Sequence, residues 1–302
     1  MKTLAFVAAP AILLAQAPTQ SLSQVHRTES PVVEALAKDF KYKEALAKVE
    51  GIIPAVKPDF VKGDPRKGLE SSQEYSSLMA MNALAGKMAL LAGDWAKAKE
   101  YFVKAQTIAN ENHTNFKEVA APLIQTWQKA MEDSSKSLEE NAARRKDAEA
   151  KPEKDRTPQD QEVLKAVAVW DNNVKNGGKV IKQLEDHANG LRVDAEAFAK
   201  PIEGIDKDLK SESDILASDK FKGDKVKYVT AVLNTPGNFA LPTQTDKVKL
   251  LYRLLFLDPA NTRAAKSLEA AKAGQDVPVP EEKKAPAKKA PAKKAAAKPA
   301  GK

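Results

Sequence analysis

Apolar positions along the 302-residue chain recur at intervals of three and four, the spacing that gathers side chains on one face of a helix. The tightest instance is residues 79–112. Ala98, Phe102 and Ala105 stand at i, i+4 and i+7 there, and small residues at Gly86 and Ala89 thin a helix just upstream. Gly93 and Asp94 supply a turn, and Trp95 opens the second helix. The stretch therefore predicts two antiparallel helices whose backbones approach closely. No run shows the sustained period-two alternation of a strand, and the expected fold class is all-α.

Around this hairpin the pattern divides the chain. In 31–54, Tyr42, Ala45, Val49 and Ile52 repeat the spacing of Trp95, Ala98, Phe102 and Ala105, so 30–114 is read as a region of helical hairpins. Between them Ala55 to Glu74, with Pro58, Gly63, Pro65 and Gly68, reads as a loop, either functional or a tolerated insertion.

Residues 115–200 follow a different rhythm. Phe116, Val119, Leu123, Trp127, Met131 and Leu138 mark one arm, and Val163, Val167, Trp170, Val174, Ile181, Leu184, Leu191 and Phe198 mark a returning arm. Pro152 and Pro158 separate them, because proline cannot sit inside a helix without loss of a hydrogen bond. The expectation is a long, coiled-coil-like antiparallel hairpin about 50 Å long at 1.5 Å per residue. Asn176-Gly177-Gly178 is read as a stop and restart within its second arm, and Pro201 and Gly204 as its end. A C-terminal helical section is expected over 215–275, with a Pro259 stop and an Asn261 or Thr262 cap. Residues 276–302 are low in complexity, rich in Lys, Ala and Pro, and expected to be disordered.

Residues 79–112 resemble a tetratricopeptide repeat. The likeness is carried by the small inter-helix positions, the aromatic after the turn and the Ala98-x-x-x-Phe102-x-x-Ala105 run, over one period of roughly 34 residues. Asn82, Ala89 and Asn110 depart from the pattern, where an aromatic, a Tyr and a Pro are usual. Segments 31–54 and 226–273 are degenerate versions. The latter has Leu254 to Asn261 similar to the closing helix and Asp-Pro-x-Asn turn, but Lys247 where Ala is usual. The resemblance implies a scaffold that binds a protein partner on a concave surface. Tyr42, Trp95, Tyr101 and Phe102 are the candidate contacts, with Trp95 and Phe102 also expected to fill the core.

Charge changes the picture only at one end. The formal net charge is +8, and eight lysines stand between 283 and 302 without a single acid, so residues 1–282 are neutral. Lys283, Lys284, Lys288, Lys289, Lys293, Lys294 and Lys298 are the candidate polyanion contacts, through counterion release. An anionic envelope surface is preferred over nucleic acid as their partner, and a solubilising extension without a fixed partner is the competing reading.

At the other end, residues 1–17 carry Lys2, an apolar run from Leu4 to Leu14 and small residues at Ala15 and Ala17, the order of a cleavable signal peptide. An uncleaved anchor is the alternative. Export to the periplasm or envelope is the expectation.

Candidate chemistry is sparse. There is no cysteine, which excludes disulfides and thiol catalysis. His26, His113 and His187 lie far apart in the sequence, and no metal-ligand spacing, phosphate loop or nucleophile elbow occurs. No cofactor and no enzymatic activity are expected. Asn112-His113-Thr114 fits the glycosylation acceptor pattern and is read as chance.

Overall fold

The structure is a computed structural model that describes residues 21–280. Among the described residues all regular structure is helical: ten α-helices and two short 3₁₀ turns, without a strand. The chain divides into two compact units, with the division between Gly223 and Asp224.

The first unit opens with helix α1 (Leu22–Lys38) and helix α2 (Tyr42–Glu50). Ser21 and Gln24 form a capping box, satisfying amides that the first turn leaves without partners. Helix α1 begins nine residues before Pro31, which lies inside it. Helices α3 (Pro65–Leu91) and α4 (Trp95–Glu140) follow as a second antiparallel pair.

Both pairs turn in the same way. At the α3–α4 turn Asp94 N–H donates to Ala89 O at 2.9 Å and Gly93 N–H to Leu90 O at 3.2 Å, with Gly93 at φ +85°. At the α1–α2 turn Lys41 N–H donates to Leu36 O at 2.9 Å and Phe40 N–H to Ala37 O at 3.1 Å, with Phe40 at φ +58°. Each is a Schellman closure. Phe40 and Gly93 are 53 positions apart in the sequence, the same offset that separates Tyr42 from Trp95 and Ala45 from Ala98. The glycine takes the left-handed conformation without a Cβ clash, whereas Phe40 carries that strain at about 1–2 kcal/mol.

The two pairs share one core. Val33, Ala45, Leu46 and Val49 from α1 and α2 pack with Ala85, Met88, Ala89, Ala98 and Phe102 from α3 and α4. The close approach expected at Gly86 is present: a Cβ there would stand 3.1 Å from the Phe102 ring.

Several boundaries differ from those the sequence predicts, each for a local reason. The loop ends at Asp64 and not at Glu74. Asp64 accepts hydrogen bonds from the amides of Arg66 and Lys67, and Pro65 takes the first helical position, where its missing N–H costs nothing. Gly68 lies inside α3 because Val119 presses there: a Cβ would meet both Val119 methyls at 2.8 Å. No break separates 114 from 115. Helix α4 runs through all 46 residues, about 69 Å at 1.5 Å per residue, so the repeat-like hairpin and the long hairpin share one helix.

The long hairpin itself is α4 against helix α6 (Pro158–Ala197), joined through helix α5 (Ala142–Ala150) and a 3₁₀ turn at Glu153–Asp155. Its seam includes Phe116, Ala120, Leu184 and Leu191. Thr157 and Asp160 cap α6 with a second reciprocal pair, and Lys151 joins Asp160 at 2.8 Å. The Lys151 ammonium and the Thr157 hydrogen bonds hold the Asp160 carboxyl down to about 2. Helix α6 continues through Gly177 and Gly178 without a stop. Nor do Pro201 and Gly204 end the unit. Helix α7 (Ala199–Ala217) contains both, with Pro201 in its first turn, where no intrahelical donor is required. Phe198, Ile202, Ile205 and Leu209 bring this segment onto the core of the first two hairpins.

The second unit comprises helices α8 (Lys225–Leu233), α9 (Gln244–Leu257) and α10 (Thr262–Lys272), with a 3₁₀ turn at Pro236–Phe239. Val229, Leu233, Phe239, Val248, Leu251 and Leu268 are buried in it. Asn261 caps α10 by accepting from Ala264 N–H at 2.9 Å. Its folded part extends past the expected limit at residue 275. Arg263 Nε donates to Val279 O at 2.8 Å, and Val279 N–H donates to Ser267 Oγ at 3.0 Å. The signal-like segment 1–17 and the lysine-rich residues from 281 onward lie outside the described residues.

Candidate functional site

The segment after α2 leaves the first hairpin at Gly51, and its course builds a groove on the second. Ile53 packs against the edge of the core, Phe60 meets the Tyr75 ring edge-on at 5.3 Å, and the chain between them passes over α3 and α4. Two lysines strap it to α4: Lys57 pairs with Glu111, and Lys62 with Glu118 at 2.8 Å. Beside this strap lies a groove of ≈ 530 Å³, with Leu78 and Asn82 from α3, Tyr101, Lys104 and Ile108 from α4, and Ile53 and Pro54 from the strap among its walls.

The rim of the groove is polar and paired. Tyr101 donates its hydroxyl to Glu50 at 2.9 Å, and the Lys97 ammonium reaches the same carboxylate at 2.6 Å. Burial and then the Glu50 carboxylate raise the Tyr101 phenol above its ordinary value. The Glu50 hydrogen bond likewise raises Lys97, and the Glu111 hydrogen bond raises Lys57. Lys57 also lies over the Tyr75 ring, 5.6 Å from its centroid, and Lys104 over the Tyr101 ring at 5.3 Å. Apolar floor, aromatic wall and charges of both signs make a surface suited to an extended segment with mixed side chains.

Of the four aromatic candidates, the structure brings only Tyr101 to this groove. Tyr42 is 2% exposed and Phe102 9%, so both are core residues. Trp95 packs at the edge of the same core. Their spacing reflects the inner face of each hairpin, which is why the residues that carry the repeat pattern are not those that face outward. Glu50, Lys57 and Glu111 are groove residues that apolar periodicity does not reveal: Lys57 sits on the irregular strap, and Glu50 and Glu111 are polar positions of α2 and α4. Lys283, Lys284, Lys288, Lys289, Lys293, Lys294 and Lys298 lie outside the described residues.

Other sequence features resolve structurally. Asn112 of the glycosylation pattern is 1% exposed and donates to Ser72 O at 2.9 Å and to Ser76 Oγ at 3.1 Å, so its amide is inaccessible in the folded chain. Among the described residues no group of three or more His, Asp or Glu side chains could hold a metal ion, and no helix is long and apolar enough to cross a membrane.

Fold and groove together define a class, an all-α protein built on helical hairpins. Compared with protein-family models, with curated proteins and with solved structures, the chain matches none.

Proposed function

We propose that this chain is an exported, non-enzymatic scaffold of the tetratricopeptide-like kind, and that it docks a segment of a partner protein in the groove beside Tyr101. The observation that carries this reading is the pairing of an apolar groove floor with an aromatic and charged rim, on a hairpin pair repeated at a 53-residue offset. Solenoid hairpins use such grooves to hold extended chains. Export rests on the signal-like order of residues 1–17.

The test is recovery of a partner from envelope extract by the full-length protein and by the double variant Tyr101→Ala, Lys104→Glu. Loss of the same protein band in the variant supports groove docking. Undiminished recovery by the variant overturns it.

The eight lysines beyond residue 282 favour a second reading, a polyanion-binding protein that acts through its tail. Its affinity for anionic vesicles or cell-wall polymers falls steeply with salt and is lost in a chain ending at Pro280. Retained binding by that shortened chain removes this alternative.

A further inference from the structure

A second groove, of ≈ 640 Å³, opens between α1, α3 and α6, and Pro31 is the one apolar residue among those that line it. Its polar groups are mostly donors. Arg27 and His26 come from α1, Gln73 from α3 and His187 from α6, together with four serine hydroxyls, while Glu34 is the single carboxylate.

The fold spends the Ser23, Ser76 and Ser77 hydroxyls on Glu74 Oε1, Ser72 O and Gln73 O, which leaves Arg27, Ser30 and His187 as the donors to account for. Arg27 is exposed and has no ion pair or hydrogen bond through its guanidinium among the described residues. Ser30 Oγ is buried without a hydrogen-bond partner among them, although a helical serine can return its hydroxyl to the preceding turn. His187 is held by Ser72 Oγ, 3.1 Å from Nε2, with its ring 4.5 Å from that of Phe116. Nδ1 is thus the ring nitrogen left for the groove.

Two of the carboxylates nearby are engaged within the fold, while Asp194 acts on His187 along α6. Glu29 pairs with Lys48 at 2.8 Å, and Glu74 accepts from Leu22 N–H at 2.7 Å and from the Ser23 hydroxyl. Glu34 follows Arg27 by seven positions, about 10.5 Å along the helix axis, and no ion pair joins the two.

We propose that this groove is a binding site for a phosphoryl group, with the Arg27 guanidinium as its charged clamp and Ser30 and His187 as additional donors. A guanidinium presents parallel N–H groups that match two phosphate oxygens, and its charge strengthens both bonds. Donors arriving from three helices suit a tetrahedral anion, whose oxygens point in several directions. A planar carboxylate would use only two of them.

The chain contains three histidines, and two of them line this groove, so their ring signals report on it directly. In full-length protein at neutral pH, inorganic phosphate is titrated in one arm and glycerol phosphate, a monoester, in the other. The His26 and His187 ring resonances are expected to move saturably in at least one arm while those of His113 stay in place. Tighter binding in one arm identifies free phosphate or a phosphate ester as the source. Arg27→Ala is expected to weaken binding at least about tenfold, the worth of one charge-assisted contact. Arg66→Ala, at an exposed site outside the groove, leaves it unchanged. Tail lysines contribute equally in all three proteins. Unmoved His26 and His187 signals in both arms, or equal affinity in the Arg27→Ala protein, overturns the assignment.

Discussion

Gly177 and Met131 are in van der Waals contact across the long hairpin, so close that a Cβ on the glycine would stand 2.5 Å from Met131 Cγ and Sδ and 3.3 Å from Trp127 Cε3. Two helices approach here because one of them lacks a side chain. The neighbouring Gly178 has only Met131 Cε at 3.8 Å, an ordinary contact. Gly178→Ala is therefore expected to stabilise the protein by up to about 1 kcal/mol through helix propensity. Gly177→Ala gains the same propensity but overpacks the seam, at a cost of about 1–3 kcal/mol. Urea unfolding of both variants should place Gly177→Ala below Gly178→Ala by roughly that overpacking cost. Equal midpoints would show that Met131 swings aside freely.

Ile205 tests whether α7 belongs to the first core. It is 3% exposed and packs with Phe102, Met88 and Val49 in one cluster, while Phe198 approaches Phe102 with ring centroids 6.3 Å apart. Ile205→Ala leaves a cavity there and is expected to cost about 2–5 kcal/mol, read as a lowered unfolding midpoint at unchanged slope. Ile215→Ala, on the same helix but 43% exposed, should fall within about 0.5 kcal/mol of the parent.

These two sites also show what the sequence conveys and what it withholds. Helical period is a local property, so the hairpins, their turns at Gly93 and Asn261 and the all-α class are legible in it. A glycine has two opposed meanings that share one letter: at Gly93 it turns the chain, and at Gly68 and Gly177 it lets a helix approach another. Only the partner, Val119 or Met131, decides between them, and it lies far away in sequence. Helix α7 is hidden for the same reason. Ile202, Ile205 and Leu209 have helical spacing, but Pro201 and Gly204 read as punctuation until their places in the first two turns are known. The groove at Tyr101 depends on the course of an irregular strap, which leaves no period to detect.

His187 gives a pH dependence with a definite sign. Loss of hydration lowers its imidazole below the ordinary value, and Asp194 on the same helix only partly opposes this. Arg27, His26 and Glu34 face it from α1 across the groove. The unfolded chain therefore takes up this proton at a higher pH than the folded chain does. As pH falls below about 6.5, the stability associated with the neutral ring declines, and the decline levels off below the folded value. His113 adds in the same direction, by loss of hydration and by its proximity to Lys117 and Arg192. The ring of His187 retains solvent contact, so the effect is modest. The midpoint of urea unfolding between pH 7.5 and 5, figures chosen to bracket the ordinary imidazole value of about 6.5, should slope less in His187→Gln than in the parent. An identical slope would assign the whole effect to other groups.

Asn112 fastens α4 to α3 from within. Its Nδ2 donates to Ser72 O and Ser76 Oγ, while Oδ1 is buried without a hydrogen-bond partner among the described residues. Asn112→Ala removes both donated bonds and is expected to cost about 1–2 kcal/mol, since the Ser76 hydroxyl can turn elsewhere. Asn112→Asp has nearly the same shape but puts a carboxylate where no cation pairs with the amide, and a buried unpaired charge is resisted more strongly than a lost hydrogen bond. The new carboxyl is held protonated, its folded value raised above that of the unfolded chain. Its neutral form is accommodated at low pH, and stability is lost as pH rises through the carboxylate range toward neutrality. Thermal unfolding at pH 4.5 and pH 7.5, on either side of the expected transition, should show Asn112→Asp close to Asn112→Ala at the lower pH and well below it at the higher. If the two variants melt together at both values, the amide side chain reaches water and does not seal the α3–α4 interface.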